Sequence, residues 1–208
     1  MEKKTVKLVL TGGPAGGKTL MLARIREEVS KLEDWRVITV PESASDLISN
    51  FGIKPFDDCL QMREFQDYVV ADQLHKELLA CKAARTVRES NVLIVYDRAL
   101  LDDLAYVTPE EFASVLAGFG LTVREALAKY DAVIHMVTCA KGALHAYNLD
   151  NAARTESPEE AVARDERTLQ AWSDHPVLTV LHNNTDFETK LQRGMREVFR
   201  IIGLPAQE

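Results

Sequence analysis

What the sequence has little of narrows the field first. It holds three cysteines, Cys59, Cys81 and Cys139, odd in number, widely spaced and without a Cys-x-x-Cys pair. Neither a disulfide framework nor a zinc site can be built on that pattern, so the thiols read as free, buried side chains of a reducing compartment. No apolar run approaches the ~20 residues that cross a bilayer as a helix. Lys3 and Lys4 resemble the head of a signal peptide, but the apolar run behind them is broken by Lys7 and flows into glycines. No signal peptide and a cytoplasmic location are therefore expected. Repeats, low-complexity tracts and linker-like stretches are missing too. Basic charge is also short. Lys and Arg number 25 against 32 Asp and Glu, so 25 − 32 = −7, which disfavours a general nucleic-acid binder. A local basic patch around a phosphate ligand remains compatible with that balance.

What is present reads as one α/β unit. A chain of 208 residues fills a single sizeable domain and is short for two, so one domain over residues 1–208 is expected. Five short apolar runs predict strands: Thr5–Thr11, Arg36–Val40, Asn91–Asp97, Ala132–Thr138 and Val177–Leu181. Several are apolar almost throughout, the pattern of strands covered on both faces of a parallel sheet. Helical periodicity fills the gaps, including a long, mostly helical stretch from Phe56 to Glu89. Three starts are spelled out by a hydroxyl residue with a carboxylate three positions on: Thr108 with Glu111, Thr122 with Glu125, and Ser157 with Glu160. In the first and third a proline follows the cap. The last helix stops at Gly203, with Pro205 beyond. Alternating strands and helices predict a five-stranded parallel sheet flanked by helices, with ligands bound beyond the carboxyl ends of the strands.

The first strand ends in Gly12-Gly13-Pro14-Ala15-Gly16-Gly17-Lys18-Thr19, which meets the pattern GxxxxGK[ST]. Its glycines permit backbone turns that a Cβ would block, and they aim N–H groups at an anion near a helix N-terminus. The spacing predicts that Lys18 reaches the β- and γ-phosphates and that Thr19 ligates Mg²⁺. Asp97 closes the third strand, where an acid can hold the Mg²⁺ shell, and Arg98 beside it can clamp a phosphate. Glu42 follows the second strand, placed to orient or deprotonate an acceptor hydroxyl. Ser43 and Asp46 read as a capping pair for the next helix. Gln66, Gln73 and Glu77 fall on one helical face, either a solvated stripe or, for Gln66 above all, a contact to substrate. The polar segment 148–167 reads as a lid whose arginines, Arg154, Arg164 and Arg167, converge on the transferred phosphoryl; pairing with the local glutamates is the other reading. The loop after the fifth strand, His182 to Phe187 with Asn183, is placed to meet the nucleotide base, through side-chain amides or backbone. Asn184 or Thr185 could instead cap the last helix. His135, mid-strand, reads as a core residue.

These residues together resemble the NadR-like AAA-domain family of P-loop proteins, described as ATPases or kinases. The resemblance covers nearly the whole chain. It rests on Thr11–Thr19, Pro41-Glu42-Ser43-Ala44, Phe65-Gln66, Tyr96-Asp97-Arg98, Asn151–Glu156 with Arg154-Thr155-Glu156, Ala171-Trp172-Ser173-Asp174-His175-Pro176, and Asn184-Thr185-Asp186-Phe187. The family includes the nicotinamide-riboside kinase domain of bacterial regulators of NAD synthesis. It also includes proteins similar to TRP-channel trafficking factors, described as binding GTP and phosphoinositides, and this chain is nearer to that branch. The plan is also similar to deoxynucleoside kinases, in which an acid, a Phe-Gln and an acid-Arg line the acceptor site. The resemblance implies a P-loop NTPase fold of the nucleoside- or nucleotide-kinase kind, with Glu42, Gln66 and Arg98 around a small-molecule acceptor. It implies a kinase using ATP and Mg²⁺; the alternative is a GTP- or ATP-dependent switch with a phosphoinositide or protein partner. An Asn-Lys-x-Asp guanine signature is missing, which favours ATP over GTP. Nothing in the sequence matches an adenylyltransferase or DNA-binding domain, so those functions are not expected.

Overall fold

A computed structural model describes residues 3–56, 60–142 and 157–205. Cys59, Arg154 and the Asn151–Glu156 motif lie outside the described residues. Five strands, β1 (Lys4–Thr11), β2 (Trp35–Val40), β3 (Asn91–Asp97), β4 (Ala132–Met136) and β5 (Leu178–Leu181), form one sheet in the order β2-β3-β1-β4-β5. All four pairings are parallel. Between them run helices α1 (Lys18–Val29), α2 (Ser43–Asn50), α3 (Met62–Thr86), α4 (Pro109–Gly118), α5 (Val123–Leu127), α6 (Pro158–Ala171) and α7 (Phe187–Ile202), with a 3₁₀ helix at Leu100–Ala105. The strand pattern predicts this five-stranded parallel sheet flanked by helices, and it is the α/β P-loop NTPase architecture that the resemblance implies. Among the described residues no helix is long and apolar enough to cross a membrane.

The sheet is covered on both faces because its strands are apolar on both faces. Along β3, Leu93 and Val95 pack toward α1 and α7, while Val92, Ile94 and Tyr96 pack toward α3 and α4. On β1, Leu8 and Leu10 take the first side and Val9 the second. This alternation is the two-residue period of a strand.

All three hydroxyl–carboxylate pairs form as read: Thr108, Thr122 and Ser157 each accept the backbone N–H three residues on, and the carboxylate there returns the bond. Gly203 ends α7 with a left-handed φ of 83°. Other boundaries differ for local reasons. The long helix starts at Met62 rather than Phe56, whose φ of 66° is incompatible with a right-handed helix. Strand β4 stops before Thr138, whose N–H turns to the Asp165 carboxylate. Helix α2 has Glu42 at its N-cap position with no side-chain cap, and Asp46 pairs with Lys76 at 2.6 Å instead of capping. Asp186, rather than Asn184 or Thr185, caps α7 by accepting the Thr189 N–H at 2.9 Å.

The register places the chemistry. Leu10 pairs with Asp97 and Val40 with Tyr96, so β1, β2 and β3 end level. The glycine loop, Glu42 and Arg98 therefore emerge at one edge of the sheet.

Leu93 on β3 is fully buried, whereas Leu78 on α3 is 52% exposed. Leu93→Ala should lower the unfolding free energy by about 2–5 kcal/mol, and Leu78→Ala by less than about 0.5 kcal/mol. Urea unfolding of both variants checks this; comparable midpoints would contradict the core assignment.

Candidate functional site

The glycine loop leaves β1 and turns into α1 at Lys18. Gly17 sits at the N-cap with φ 94°, no side chain caps the helix start, and no acid lies in the first turn. The first N–H groups of α1 are thus left for an anion, with the positive end of the helix dipole behind them. Gly12 has a φ of 129°, and a Cβ there would lie 2.1 Å from the Met136 carbonyl oxygen. The loop passes too close to the end of β4 for any side chain.

Two ionised side chains missed by the sequence reading hold this loop. Asp165 Oδ1 accepts the N–H of Gly13 at 2.7 Å and of Thr138 at 3.0 Å, and lies 3.1 Å from His135 Nε2. Burial would raise this carboxyl, but His135 and the two N–H groups outweigh it and hold it below the usual carboxylate range. His135 is buried, as expected of a core residue, and its role is this contact. On the other side, Lys190 is buried and donates to the carbonyls of Gly16 at 3.2 Å and Val137 at 2.8 Å, and to Asn183 Oδ1 at 2.7 Å. Burial lowers its pKa to about 8, against the pull of Asp165 and Cys139. Asn183 lines the cavity beside the loop. Its amide nitrogen, however, donates to the carbonyls of Thr138 at 2.7 Å and Lys141 at 2.8 Å. With both ends of the carboxamide committed to protein, Asn183 is a clasp rather than a side-chain reader of a base.

Lys18 bonds back to its own loop, at 3.2 Å to the Gly12 carbonyl and 3.1 Å to that of Gly13. Burial lowers its pKa to about 8; Arg98 adds to this, while Asp97, Glu42 and Asp102 oppose it. Thr19, next on α1, is exposed. Burial raises the Asp97 carboxyl, with Glu42 adding and Lys18 opposing. Its Oδ1 is buried and has no hydrogen-bond partner among the described residues. An acceptor oxygen left unpaired on a residue that lines the same cavity as Thr19 suits a hard cation.

Arg98 follows Asp97 with a φ of 65°, a region non-glycine residues seldom adopt and one that stores strain at functional sites. Its Nε lies 2.7 Å from Glu42 Oε1 and its Nη1 3.2 Å from Asp102 Oδ1. Burial works against the guanidinium charge, but Tyr106, Glu42, Asp102 and Asp97 outweigh it and keep Arg98 protonated. Burial would also raise Glu42, yet Arg98 and Lys18 hold it below its usual range. Asp102, also missed, is buried and accepts from the Thr11 hydroxyl, from Arg98, from the Ala99 N–H at 3.0 Å and from the Trp172 indole N–H at 3.2 Å. Adjacent acids ending the apolar run Ala99-Leu100-Leu101 were the signal that could have exposed it.

Two cavities meet here. One, of about 940 Å³, is lined by the glycine loop, Asp97, Lys190 and the segment after β5. The other, of about 440 Å³, is lined by Gln66, Gln73, Asp103, Tyr106 and Arg164 among others. Glu42 and Arg98 line both. The polar stripe of α3 is therefore buried rather than solvated. Gln66 and Gln73 face the second cavity, while Glu77 accepts from the Tyr130 hydroxyl and pairs with Lys129 at 2.9 Å. Residues 157–167 belong to a helix anchored through Ala161 and Asp165 rather than to a free lid. Arg164 lies 4.4 Å over the Tyr106 ring, but Arg167 is exposed and lines neither cavity. Arg164 and Arg167 therefore do not converge on the phosphate cavity as read; Arg154 and residues 148–156 lie outside the described residues.

Lys18→Ala should weaken triphosphate binding by about 1.5–3 kcal/mol, the loss of a charged hydrogen bond. A lysine of pKa about 8 in the free protein is largely neutral at pH 9 and charged at pH 7. A triphosphate beside it stabilises the charged form, so binding at pH 9 should take up close to one proton through Lys18 that binding at pH 7 does not. Calorimetry in buffers of different ionisation heat reads this directly. Equal uptake by parent and Lys18→Ala would remove Lys18 from the phosphate site.

The sequence was also compared with known proteins. No curated protein matches the chain. The family model described as an AAA domain matches residues 7–190, a span that runs from β1 through the glycine loop, Glu42, Asp97 and Arg98 to Lys190. With that match over most of its length, the chain belongs to the AAA-domain family of P-loop nucleotide-binding proteins.

Proposed function

We propose that this protein is a small-molecule kinase that transfers the γ-phosphoryl of ATP to a hydroxyl of a nucleoside-like acceptor. The observation that carries the reading is the pair of cavities joined at Glu42 and Arg98. A nucleotide switch needs only the first cavity; a phosphotransferase needs a second space whose boundary with the first carries a base and a cation. In this reading the triphosphate lies along Gly12–Thr19 with its phosphates on the free N–H groups of α1 and on Lys18. Asp97 and Thr19 are the residues that would hold Mg²⁺, which when bound neutralises phosphate charge. The bare Asp97 Oδ1 fits that assignment.

Glu42 is the proposed base. It stays ionised at neutral pH because Arg98 and Lys18 hold its pKa down, so its strength comes from position rather than from raised basicity. Arg98 is held over the boundary by Glu42 and Asp102, where a guanidinium can meet charge on the transferred phosphoryl. Catalysis of this kind is mostly positioning plus electrostatic neutralisation. Arg164, on the wall of the second cavity, orients the acceptor rather than reaching the phosphates.

A coupled assay of ADP release with MgATP against nucleosides, nicotinamide riboside and inositol phosphates tests the class of acceptor. Glu42→Gln then separates kinase from switch. Triphosphate affinity should stay within about threefold of the parent, while single-turnover transfer falls roughly 10²–10⁴-fold, the usual worth of a general base. Parent-like transfer by the variant, or ADP release indifferent to every acceptor, would overturn the kinase reading.

A further inference from the structure

Lys190 is 2% exposed, yet its ammonium is not paired with a carboxylate among the described residues. It meets three neutral oxygens instead: the carbonyls of Gly16 at 3.2 Å and Val137 at 2.8 Å, and Asn183 Oδ1 at 2.7 Å. Asp165 acts on it through the field rather than by contact. Asn183 is turned to make this possible, because its nitrogen is spent on the Thr138 and Lys141 carbonyls. Lysines are seldom buried without a paired anion. A shell of neutral oxygens, most of them backbone carbonyls, is instead how proteins replace the hydration of a monovalent cation such as K⁺.

Two peptide units carry the charge onward. Among the described residues no peptide bond is cis, and in a planar trans peptide the C=O and N–H point opposite ways. A cation on the Gly16 carbonyl therefore draws electron density from the Gly17 N–H, which points away from Lys190 where α1 begins. Gly17 lines the first cavity. The Val137 carbonyl also takes Lys190, and the N–H of the same peptide unit, on Thr138, goes to Asp165 Oδ1 at 3.0 Å. Hydrogen bonds linked through a peptide unit polarise one another. The buried cation and the buried anion are thus joined across one peptide, while the Gly16–Gly17 peptide turns the other end of its dipole to the phosphate cavity. A neutral side chain of the same length could fill the space and do neither.

We propose that Lys190 is a positioning residue for the nucleotide's phosphates: its ammonium stands in a monovalent-cation site built of the Gly16, Val137 and Asn183 oxygens and polarises the Gly16–Gly17 peptide toward the phosphates. The chain carries its own cation at a place that would otherwise call for K⁺. The assignment rests on nucleotide binding at the glycine loop and is independent of phosphoryl transfer to an acceptor.

Removing the tether while keeping the oxygens tests it. Lys190→Ala opens the shell to the first cavity, which Lys190 lines, so a small cation can enter. The full chain is titrated with a fluorescent non-hydrolysable triphosphate and Mg²⁺ at pH 7, where Lys190 is mostly charged. Tetramethylammonium chloride, whose cation is too large for the shell, is compared with KCl and NH₄Cl at equal ionic strength. The parent should bind within about twofold in all three salts. In tetramethylammonium, Lys190→Ala should bind about tenfold weaker or more, the worth of a charged hydrogen bond, and K⁺ or NH₄⁺ should restore at least about fivefold. Lys190→Met, which fills the space without charge, should be weakened as much and restored by neither. A side chain that merely packs would give no such recovery. Parent-like affinity of Lys190→Ala in tetramethylammonium overturns the assignment, as does a loss that neither cation relieves in a variant that melts cooperatively. If Lys190→Ala melts cooperatively in none of the salts, Lys190→Met decides: parent-like affinity overturns the assignment, and a loss of about tenfold in every salt upholds it. No acceptor enters these titrations, so their failure leaves the kinase reading standing, and an ADP assay indifferent to every acceptor leaves Lys190 in its role.

Discussion

A glycine loop cannot be held in place by its own side chains, so the phosphate cradle depends on what grips its backbone. Here that grip is the single oxygen Asp165 Oδ1, which takes the N–H groups of Gly13 and Thr138 and faces His135. Lys190 mirrors it, taking the carbonyls of Gly16 and Val137. A buried anion holds donors at one end of the loop and a buried cation holds acceptors at the other. Both tie the loop to the end of β4, the strand whose Met136 carbonyl already forbids a Cβ at Gly12. A buried charge is costly unless hydrogen-bonded, and both of these are hydrogen-bonded, Asp165 through Oδ1 and Lys190 to three acceptors. Removing either partner would leave the other groups buried and unpaired. The loop is thus preorganised with its free N–H groups facing the first cavity, before any phosphate arrives.

The boundary between the cavities is organised the same way around Asp102. That carboxylate gathers the end of β1 through Thr11, the turn after β3 through Arg98 and the Ala99 N–H, and the end of α6 through Trp172. It therefore fixes Arg98, whose backbone the strained φ of 65° would otherwise release. Helix α6 touches both anchor points: Asp165 on one turn holds the loop, and Trp172 at its end meets Asp102. The helix that the sequence presents as half of a lid is the strut between the glycine loop and the wall of the second cavity.

Legibility in the sequence followed the range of the interaction. Strands, capping boxes and the glycine loop are written in neighbouring residues, and each formed within a residue or two of its expected place. The positions of Glu42, Asp97 and Arg98 at one edge of the sheet were legible because each directly follows or closes a parallel strand. Asp165, Asp102 and Lys190 were not, because each acquires its role from partners tens of residues away. Asp165 stands among glutamates and arginines that look like a solvated face, and Lys190 looks like any lysine on an amphipathic helix. Arg164 and Arg167 misled for the same reason. Their one-turn spacing suggested convergence, but the buried stripe of α6 runs through Ala161, Asp165 and Thr168, so Arg164 is carried to Tyr106 and Arg167 to solvent.

The free site is neutralised from within, and this shapes how ligands must enter. Lys18 is occupied by the Gly12 and Gly13 carbonyls, and Arg98 by Glu42 and Asp102. Glu42 Oε2 meanwhile accepts from the Ser45 hydroxyl at 2.8 Å. Among the described residues no cation of the site waits bare for phosphate, which would be costly at this burial; the charges wait in one another's fields. On the proposed kinase reading, a triphosphate draws Lys18 from the loop carbonyls, and an acceptor hydroxyl engages Glu42 only by sharing or displacing Arg98 or Ser45. On that reading, a guanidinium displaced from Glu42 keeps its contact with Asp102 and can face the first cavity, which it also lines. Accommodating the acceptor and presenting Arg98 to the phosphates would then, on the same kinase reading, be one rearrangement around one ion pair. That is a physical reason for both cavities to meet at Glu42 and Arg98 rather than at a wall of neutral residues.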